Sequence, residues 1–289
     1  MTRQPRCRRS VLYVPAANPK ALAKAASLAC DAVIFDLEDA VAPEAKDEAR
    51  AALEAHFRQG DQAARQERII RVNAVSSAWG AQDMAAAARC RPDAVLLPKV
   101  ETGEALAEAR RQLDGAGGAG VRLWAMIETP RGIVDLREIV SFGARDDVGL
   151  DCLVAGTNDI AKETGLPLPA GRGTIEHWLA LIVIHARAFG LDAVDGVYND
   201  FRDEAGFAAE CRAGALAGFD GKTLIHPGQI GPANAAFSPG EAALAEARAI
   251  VAAFAEPANA GKGVISVDGR MVELLHAEMA RRTLAKASS

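Results

Sequence analysis

A chain of 289 residues, half of them hydrophobic, can bury a large core, and its formal charge of -5, with acids and bases mixed throughout, leaves no basic stripe for nucleic acid and no polybasic segment for anionic lipid. Five cysteines (Cys7, Cys30, Cys90, Cys152 and Cys211), odd in number and without a CxxC pair, argue against both a disulfide framework and a zinc site. The basic start MTRQPRCRRS leads into an apolar run that breaks at Pro15, too short for a signal peptide or membrane anchor, so the expectation is a cytoplasmic protein acting on small molecules.

In chain order, runs rich in Val, Ile, Leu and aromatics predict strands at Ser10 to Val14, Ala32 to Leu37, Ile69 to Asn73, Ala94 to Lys99, Arg122 to Ile127, Cys152 to Ala155, Ala193 to Val197 and Lys222 to Ile225. Between them lie helical stretches such as PKALAKAASLA, AQDMAAAARC, ETGEALAEARRQL and EAGFAAECRAGALAG, with apolar positions recurring on one face. Eight strands alternating with helices predict an α/β fold, a (β/α)8 TIM barrel over residues 1–230. The patch GAGGAG, Gly115 to Gly120, lacks the lysine and Ser/Thr of a phosphate loop and reads as a connector. His177 and His185 miss the HExxH spacing and read as helix packing residues. Residues 231–289 show two helical patterns separated by a Gly/Pro-rich hinge, a C-terminal helical extension expected to act as a lid, an oligomer contact or both.

Two acids close strand-like runs: Glu128 after VRLWAMI and Asp159 after LDCLVAGTN. The carboxyl ends of barrel strands carry the chemistry, and two carboxylates there suit a hard divalent cation such as Mg²⁺, which keeps its remaining positions for water and substrate. Arg71 lies inside the apolar run IIRVN, where an unpaired charge is costly; a guanidinium at a strand end binds a carboxylate or steadies an enolate oxygen. Asp36, Glu38 and Asp39 in FDLED repel one another unless positive charge lies close by, so Glu38 and Asp39 are expected to orient Arg71 and metal-bound water, while Asp36 equally suits the helical layer. Lys99 at the fourth strand end is placed near this cluster. The amides of Thr129, Pro130, Arg131 and Gly132, entering a helix, suit a carboxylate. His226, followed by Pro227 and Gly228, reads as structural.

The stretches RSVLYVPAANPK, DAVIFDLEDAVAPEAKDEAR, RIIRVNA, AVLLPKVET, MIETPRGI, LVAGTNDIAKETG, GFDGKTLIHPGQI and GKGVISVDGRMVE, in that order and over nearly the whole chain, resemble the β-subunit family of citrate lyase, within the wider group of barrel aldolases and acyl-CoA lyases. The resemblance implies a (β/α)8 barrel, usually trimeric, that makes or breaks a carbon–carbon bond between an acyl-CoA and a 2-oxo acid with Mg²⁺. It puts the metal on Glu128 and Asp159 and the substrate on Arg71. It points to Arg9 and Lys24, with Lys46 behind them, for the CoA phosphates. The family's proton donor, often reaching in from a neighbouring subunit, falls on Glu273 in VDGRMVE, where relatives commonly carry Asp; Asp268 reads as a turn residue. The expected activity is cleavage of a citramalyl-, malyl- or citryl-CoA-like ester to acetyl-CoA and a 2-oxo acid. A malyl-CoA-type thioesterase, a citrate lyase subunit needing an acyl carrier and partner chains, and a catalytically silent acyl-CoA-binding protein stand as alternatives.

Overall fold

Parallel strands buried on both faces read as continuous apolar runs, because helices cover the sheet outside and side chains fill it inside. In the computed structural model, which describes residues 6–59, 66–167 and 172–287, the strands are β1 (Ser10–Pro15), β2 (Ala32–Asp36), β3 (Glu67–Arg71), β4 (Ala94–Leu97), β5 (Arg122–Ile127), β6 (Leu150–Ala155), β7 (Asp192–Asp195) and β8 (Gly221–Leu224). They pair in parallel in sequence order, and β8 returns to β1, closing the barrel. The helices around it are α1 (Pro19–Ala25), α2 (Lys46–Gln59), α3 (Gly80–Cys90), α4 (Gly103–Gly115), α5 (Pro130–Val134), α6 (Leu136–Gly143), α7 (Thr157–Thr164), α8 (Glu176–Ala188) and α9 (Glu204–Leu216). The (β/α)8 expectation therefore holds, with each predicted strand lying within two residues of its observed bounds.

Alternation along the strands decides which side chains fill the barrel. Val11, Ala32, Ile34, Ile69, Ala94, Leu96, Trp124, Met126, Cys152, Val154 and Val194 form one buried cluster, with Tyr13 packed against it. At the amino ends of the strands the fully buried Arg8 donates to Glu67 from Nε and Nη2 at 2.7 Å and to Asp192 at 2.6 Å, and also meets Asp151. Its guanidinium lies 4.7 Å from the Trp124 ring centre. This end of the barrel is thus plugged by charge rather than open to substrate.

A second buried ion cluster lies where β7 and β8 meet α9. Asp195 accepts from Lys222 at 3.0 Å and from both Arg172 terminal nitrogens at 2.6 and 2.7 Å, while Glu210 accepts from Lys222 at 2.6 Å. Burial alone would raise the Asp195 pKa, but the charges of Lys222 and Arg172 and their hydrogen bonds outweigh it and hold the carboxyl below its ordinary value. A folded-state pKa below the unfolded one adds stability above the ordinary value of 3.8, which is lost as pH falls through the folded pKa. Asp195→Asn is expected to flatten that acid limb and to cost about 3–5 kcal/mol at neutral pH, because two buried cations lose their shared counter-charge. Urea denaturation at several pH values measures both; an unchanged acid limb would show that other carboxylates control it.

The barrel belongs to a unit of residues 8–234; residues 6 and 7 group with residues from 235 onward. Helix α10 (Ile230–Phe237) runs across this boundary. In the second unit, α11 (Glu241–Ala255) and α12 (Leu274–Ala287) pack together, and between them lies an antiparallel hairpin, β9 (Val264–Val267) and β10 (Arg270–Glu273). The Gly/Pro-rich stretch expected between the two helical patterns thus leads into a short sheet before α12 begins. Asp268 and Gly269, both at positive φ (49° and 75°), make the hairpin's two-residue turn, the geometry that favours Asp-Gly in hairpins. Ile265 and Val272 face the helices, 7% exposed each, so alternation orients the hairpin.

Candidate active site

The carboxyl ends of the strands surround a cavity of about 420 Å³, lined among others by Tyr13, Asp36, Asp39, Arg71, Glu128, Asp159, Asn158, Asn199 and Thr223. Register explains its central contact. Asp36 and Arg71 are direct partners in the β2–β3 ladder, so both project to one face. Arg71 donates from Nε to Asp36 Oδ1 at 2.7 Å and from Nη2 to Oδ2 at 2.6 Å, a bidentate pair. Its Nη1 lies 2.9 Å from Glu38 Oε2 and 3.9 Å from Asp39 Oδ2, and the guanidinium sits 5.0 Å from the Tyr13 ring centre. Burial opposes the Arg71 charge, but the Asp36 hydrogen bonds and the surrounding anions outweigh it and push its pKa further up. Asp36 thus faces the barrel interior, not the helical layer.

Glu38 is held from both sides. Its Oε1 accepts from Lys99 Nζ at 3.1 Å, and its Oε2, buried and 2.9 Å from Arg71, meets no donor at a hydrogen-bonding angle. Burial raises the Glu38 pKa, and Arg71 opposes the shift. Asp39 is exposed. Lys99 has a second role: at φ 49° its backbone turns left-handed, and its amide donates to Glu128 Oε1 at 2.8 Å. A non-glycine residue in that region carries strain of the kind found at functional sites.

Glu128, at the end of β5, is 2% exposed. Burial, the Glu38 charge and the Asp159 charge push its pKa up to about 8, with the Lys99 amide pulling the other way. Asp159, in the first turn of α7, lines the same cavity. Glu128 has room there because Gly156, the residue before α7, carries no side chain: a Cβ would lie 2.3 Å from Glu128 Cβ and 2.6 Å from Oε2. Gly156→Ala is expected to keep the fold at a cost of roughly 1–3 kcal/mol from overpacking and to lower turnover by about 10²-fold through displacement of Glu128. Steady-state kinetics with a thermal melt check this; unchanged turnover would show that Glu128 tolerates movement.

Among the described residues no three His, Cys, Asp or Glu side chains gather as metal ligands. Glu128 and Asp159 therefore offer two carboxylates only. That donor set fits Mg²⁺, which binds through one or two carboxylates and retains water or substrate oxygens. The raised Glu128 pKa, caused first by burial and then by the Glu38 charge, is the kind of shift that a bound cation would oppose.

Other expected site residues lie elsewhere. Arg9 precedes β1 at the amino ends of the strands, opposite the cavity, and donates from its amide, Nε and Nη2 to Asp31, each at 2.8 Å; this position removes it from the site. Lys24 is exposed near the end of α1 and does not line the cavity. Lys46 is buried and bonded within the protein rather than presented to a phosphate. Arg131 is exposed and pairs with Asp135. The Gly132 amide is taken by Thr129 Oγ1 at 3.0 Å, capping α5, and Pro130 has no N–H, so two of the four positions in the expected carboxylate cradle at Thr129 to Gly132 offer no free donor. Glu273 ends β10 in the second unit, its amide donating to His276 Nδ1 at 3.0 Å. His226 caps the turn after β8, with Nδ1 accepting from the Gly228 amide at 3.1 Å, which is the structural role expected.

Sequence reading missed Tyr13, although it sits two residues after Val11 on the inward face of β1. It also missed Asn158 and Asn199, whose side-chain amides bond reciprocally at 3.2 and 2.8 Å beside Asp159. Their pairing joins the first turn of α7 to the loop after β7, and no spacing along the chain announces it.

Residues 9–227 match the family described as HpcH/HpaI aldolase/citrate lyase. A (3S)-malyl-CoA thioesterase of Cereibacter sphaeroides is 46% identical over 281 residues, spanning 97% of this chain and 95% of that protein. The mitochondrial citramalyl-CoA lyase of Homo sapiens is 34% identical over 293 residues, spanning 98% and 86%. Among solved structures, protein CitE of Mycobacterium tuberculosis in complex with magnesium, acetoacetate and coenzyme A is similar with a TM-score of 0.77 at 32% identity, covering 97% of this chain and 98% of that one.

Proposed function

Since this chain belongs to the HpcH/HpaI aldolase/citrate lyase family, we propose that it is a Mg²⁺-dependent carbon–carbon lyase cleaving a 3-hydroxyacyl-CoA of the malyl- or citramalyl-CoA type to acetyl-CoA and a 2-oxo acid. The observation that carries this reading is the placement of Glu128 and Asp159 in one cavity with Arg71. Glu128 and Asp159 would hold the magnesium, which when bound would supply Lewis-acid chemistry to substrate oxygens. Arg71 has five N–H groups; Asp36 takes two and Glu38 faces a third, which leaves donors for the thioester oxygen as enolate charge develops there. Asp36 and Glu38 keep the guanidinium fixed before reaction, so little reorganisation accompanies the charge. Glu273 is the proposed donor of the proton that the enolate carbon takes up. Lys24 is the remaining candidate for a CoA phosphate contact. A homotrimer and a cytoplasmic location complete the proposal; among the described residues no helix is long and apolar enough to cross a membrane.

A second reading, hydrolysis of the same thioester, is favoured by the 46% identity to the malyl-CoA thioesterase, against 34% to the citramalyl-CoA lyase. It uses the same metal and arginine, with water attacking the thioester carbonyl. Malyl-, citramalyl- and citryl-CoA assayed with and without Mg²⁺ decide the matter. A 2-oxo acid plus acetyl-CoA establishes the lyase, and intact hydroxy acid plus free CoA the hydrolase. Absence of turnover on all three esters with metal present would end both. Glu273→Ala is expected to abolish lyase turnover while sparing ester binding.

A further inference from the structure

Lysine is almost never buried unless its ammonium is fully partnered. Lys46 begins α2 directly after the 3-10 turn Pro43–Ala45 and is buried, 5% exposed. What holds it there is a full set of acceptors. Its Nζ donates to the Leu37 carbonyl at 2.9 Å, to the Glu38 carbonyl at 2.8 Å and to Asn73 Oδ1 at 2.9 Å, and it lies 5.1 Å from the Trp79 ring centre. The two carbonyls belong to the turn that follows Asp36 and carries Glu38 and Asp39. Asn73 ties the same turn from the other side, its Nδ2 donating to the Leu37 carbonyl at 2.9 Å and to Asp83 Oδ2 at 2.6 Å. Arg50, one helical turn after Lys46, donates to Asp83 Oδ1 at 2.8 Å. The chain of bonds runs from α2 and α3 to the backbone of the residues that grip Arg71, without touching the cavity.

We propose that Lys46 is a positioning residue for Arg71: its ammonium fixes the backbone of the acidic turn after β2, so that Asp36 and Glu38 meet the guanidinium in the geometry the reaction uses. A lysine buried against its usual preference for the surface, with every donor satisfied, is the pattern expected of a functional requirement. The lysine is the fitting residue because three rotatable N–H groups serve three acceptors that surround one point, which the flat guanidinium of arginine does not match.

This inference rests on the proposed function for its kinetic readout, so the test carries a structural readout as well. Lys46→Met keeps the length and removes the donors. Displacements of about 1 Å at a reacting centre cost about 10²-fold, so kcat is expected to fall about 10- to 100-fold while KM for the ester and the affinity for Mg²⁺, measured by calorimetry, stay within about threefold. Asn73→Ala, which removes one clamp and leaves the lysine, is expected to give a smaller loss in the same direction. A kcat within about threefold of wild type in folded Lys46→Met, or equal losses in kcat and Mg²⁺ affinity, would overturn the proposal. If Lys46→Met does not fold, Asn73→Ala with unchanged kcat overturns it. If wild type turns over no ester, the proposed function fails, and crystal structures decide the positioning: the Asp36–Arg71–Glu38 set displaced in the variant supports it, and the set unmoved overturns it.

Discussion

Replacing Glu128 by glutamine is expected to lower turnover roughly 10³-fold, while making the metal-free protein more stable above neutral pH. The two effects have one cause. A metal acting as Lewis acid supplies several kcal/mol of charge stabilisation, and each 1.36 kcal/mol is about tenfold in rate. Glutamine keeps the shape of the side chain but not the charge that would hold the cation. Without metal, that same charge is a burden: burial, then the charge of Glu38, raise the Glu128 pKa from its ordinary 4.5 to about 8. The folded state therefore holds the proton more tightly than the unfolded state, so folding takes up a proton between pH 4.5 and about 8. Stability of the metal-free wild type accordingly falls as pH rises through that window, and Mg²⁺, binding only the folded state, restores it. Glu128→Gln is expected to remove both the slope and the response to Mg²⁺. Thermal melts across the window, with and without Mg²⁺, measure this alongside the kinetics. A variant that still gains stability from Mg²⁺, or turns over within tenfold of wild type, would place the metal elsewhere.

The barrel was legible because its signal is local and repeated: each β-rich run lies between helical segments, and an error of two residues at a boundary leaves the topology unchanged. Glu128 and Asp159 were legible for a related reason, since strand polarity sends the carboxyl ends to one mouth. The same polarity puts Arg9, which lies before β1, at the plugged end, where it pairs with Asp31; the motif that contains it carries no such direction. The direction of Asp36 needed the β2–β3 register, which pairs it with Arg71, and register is a property of two strands that neither segment reveals by itself. Lys46 resembled a phosphate ligand because a long basic side chain in sequence has no direction; only packing shows that it turns inward onto Leu37 and Glu38. The hairpin β9–β10 carries a legible signal, Asp-Gly between alternating apolar residues: the turn at Asp268 is expected from it, and the sheet around that turn needs both strands.

Arg71→Lys, usually a mild change, is expected to lower kcat by about 10²–10³-fold, the scale of losing a fixed donor to developing negative charge. Lysine keeps the positive charge, so a site that needed charge alone would lose little. The arrangement needs a fork: two parallel bonds to Asp36 and a third nitrogen toward Glu38, with donors still left for substrate. A single ammonium cannot bond to Asp36 through two separated nitrogens while reaching Glu38 and the substrate. The carboxylates it fails to satisfy are buried, so melting temperature falls too, by the equivalent of about 1–3 kcal/mol. Assays well below the melting point separate the two effects, since a folded variant then reports on geometry alone. Magnesium affinity is expected to be nearly unchanged, because Glu128 and Asp159 keep their positions on β5 and α7. If Arg71→Lys retained kcat within tenfold while only stability fell, Arg71 would be a strut for the acidic turn, and the group that stabilises the enolate would have to be sought elsewhere along the cavity wall.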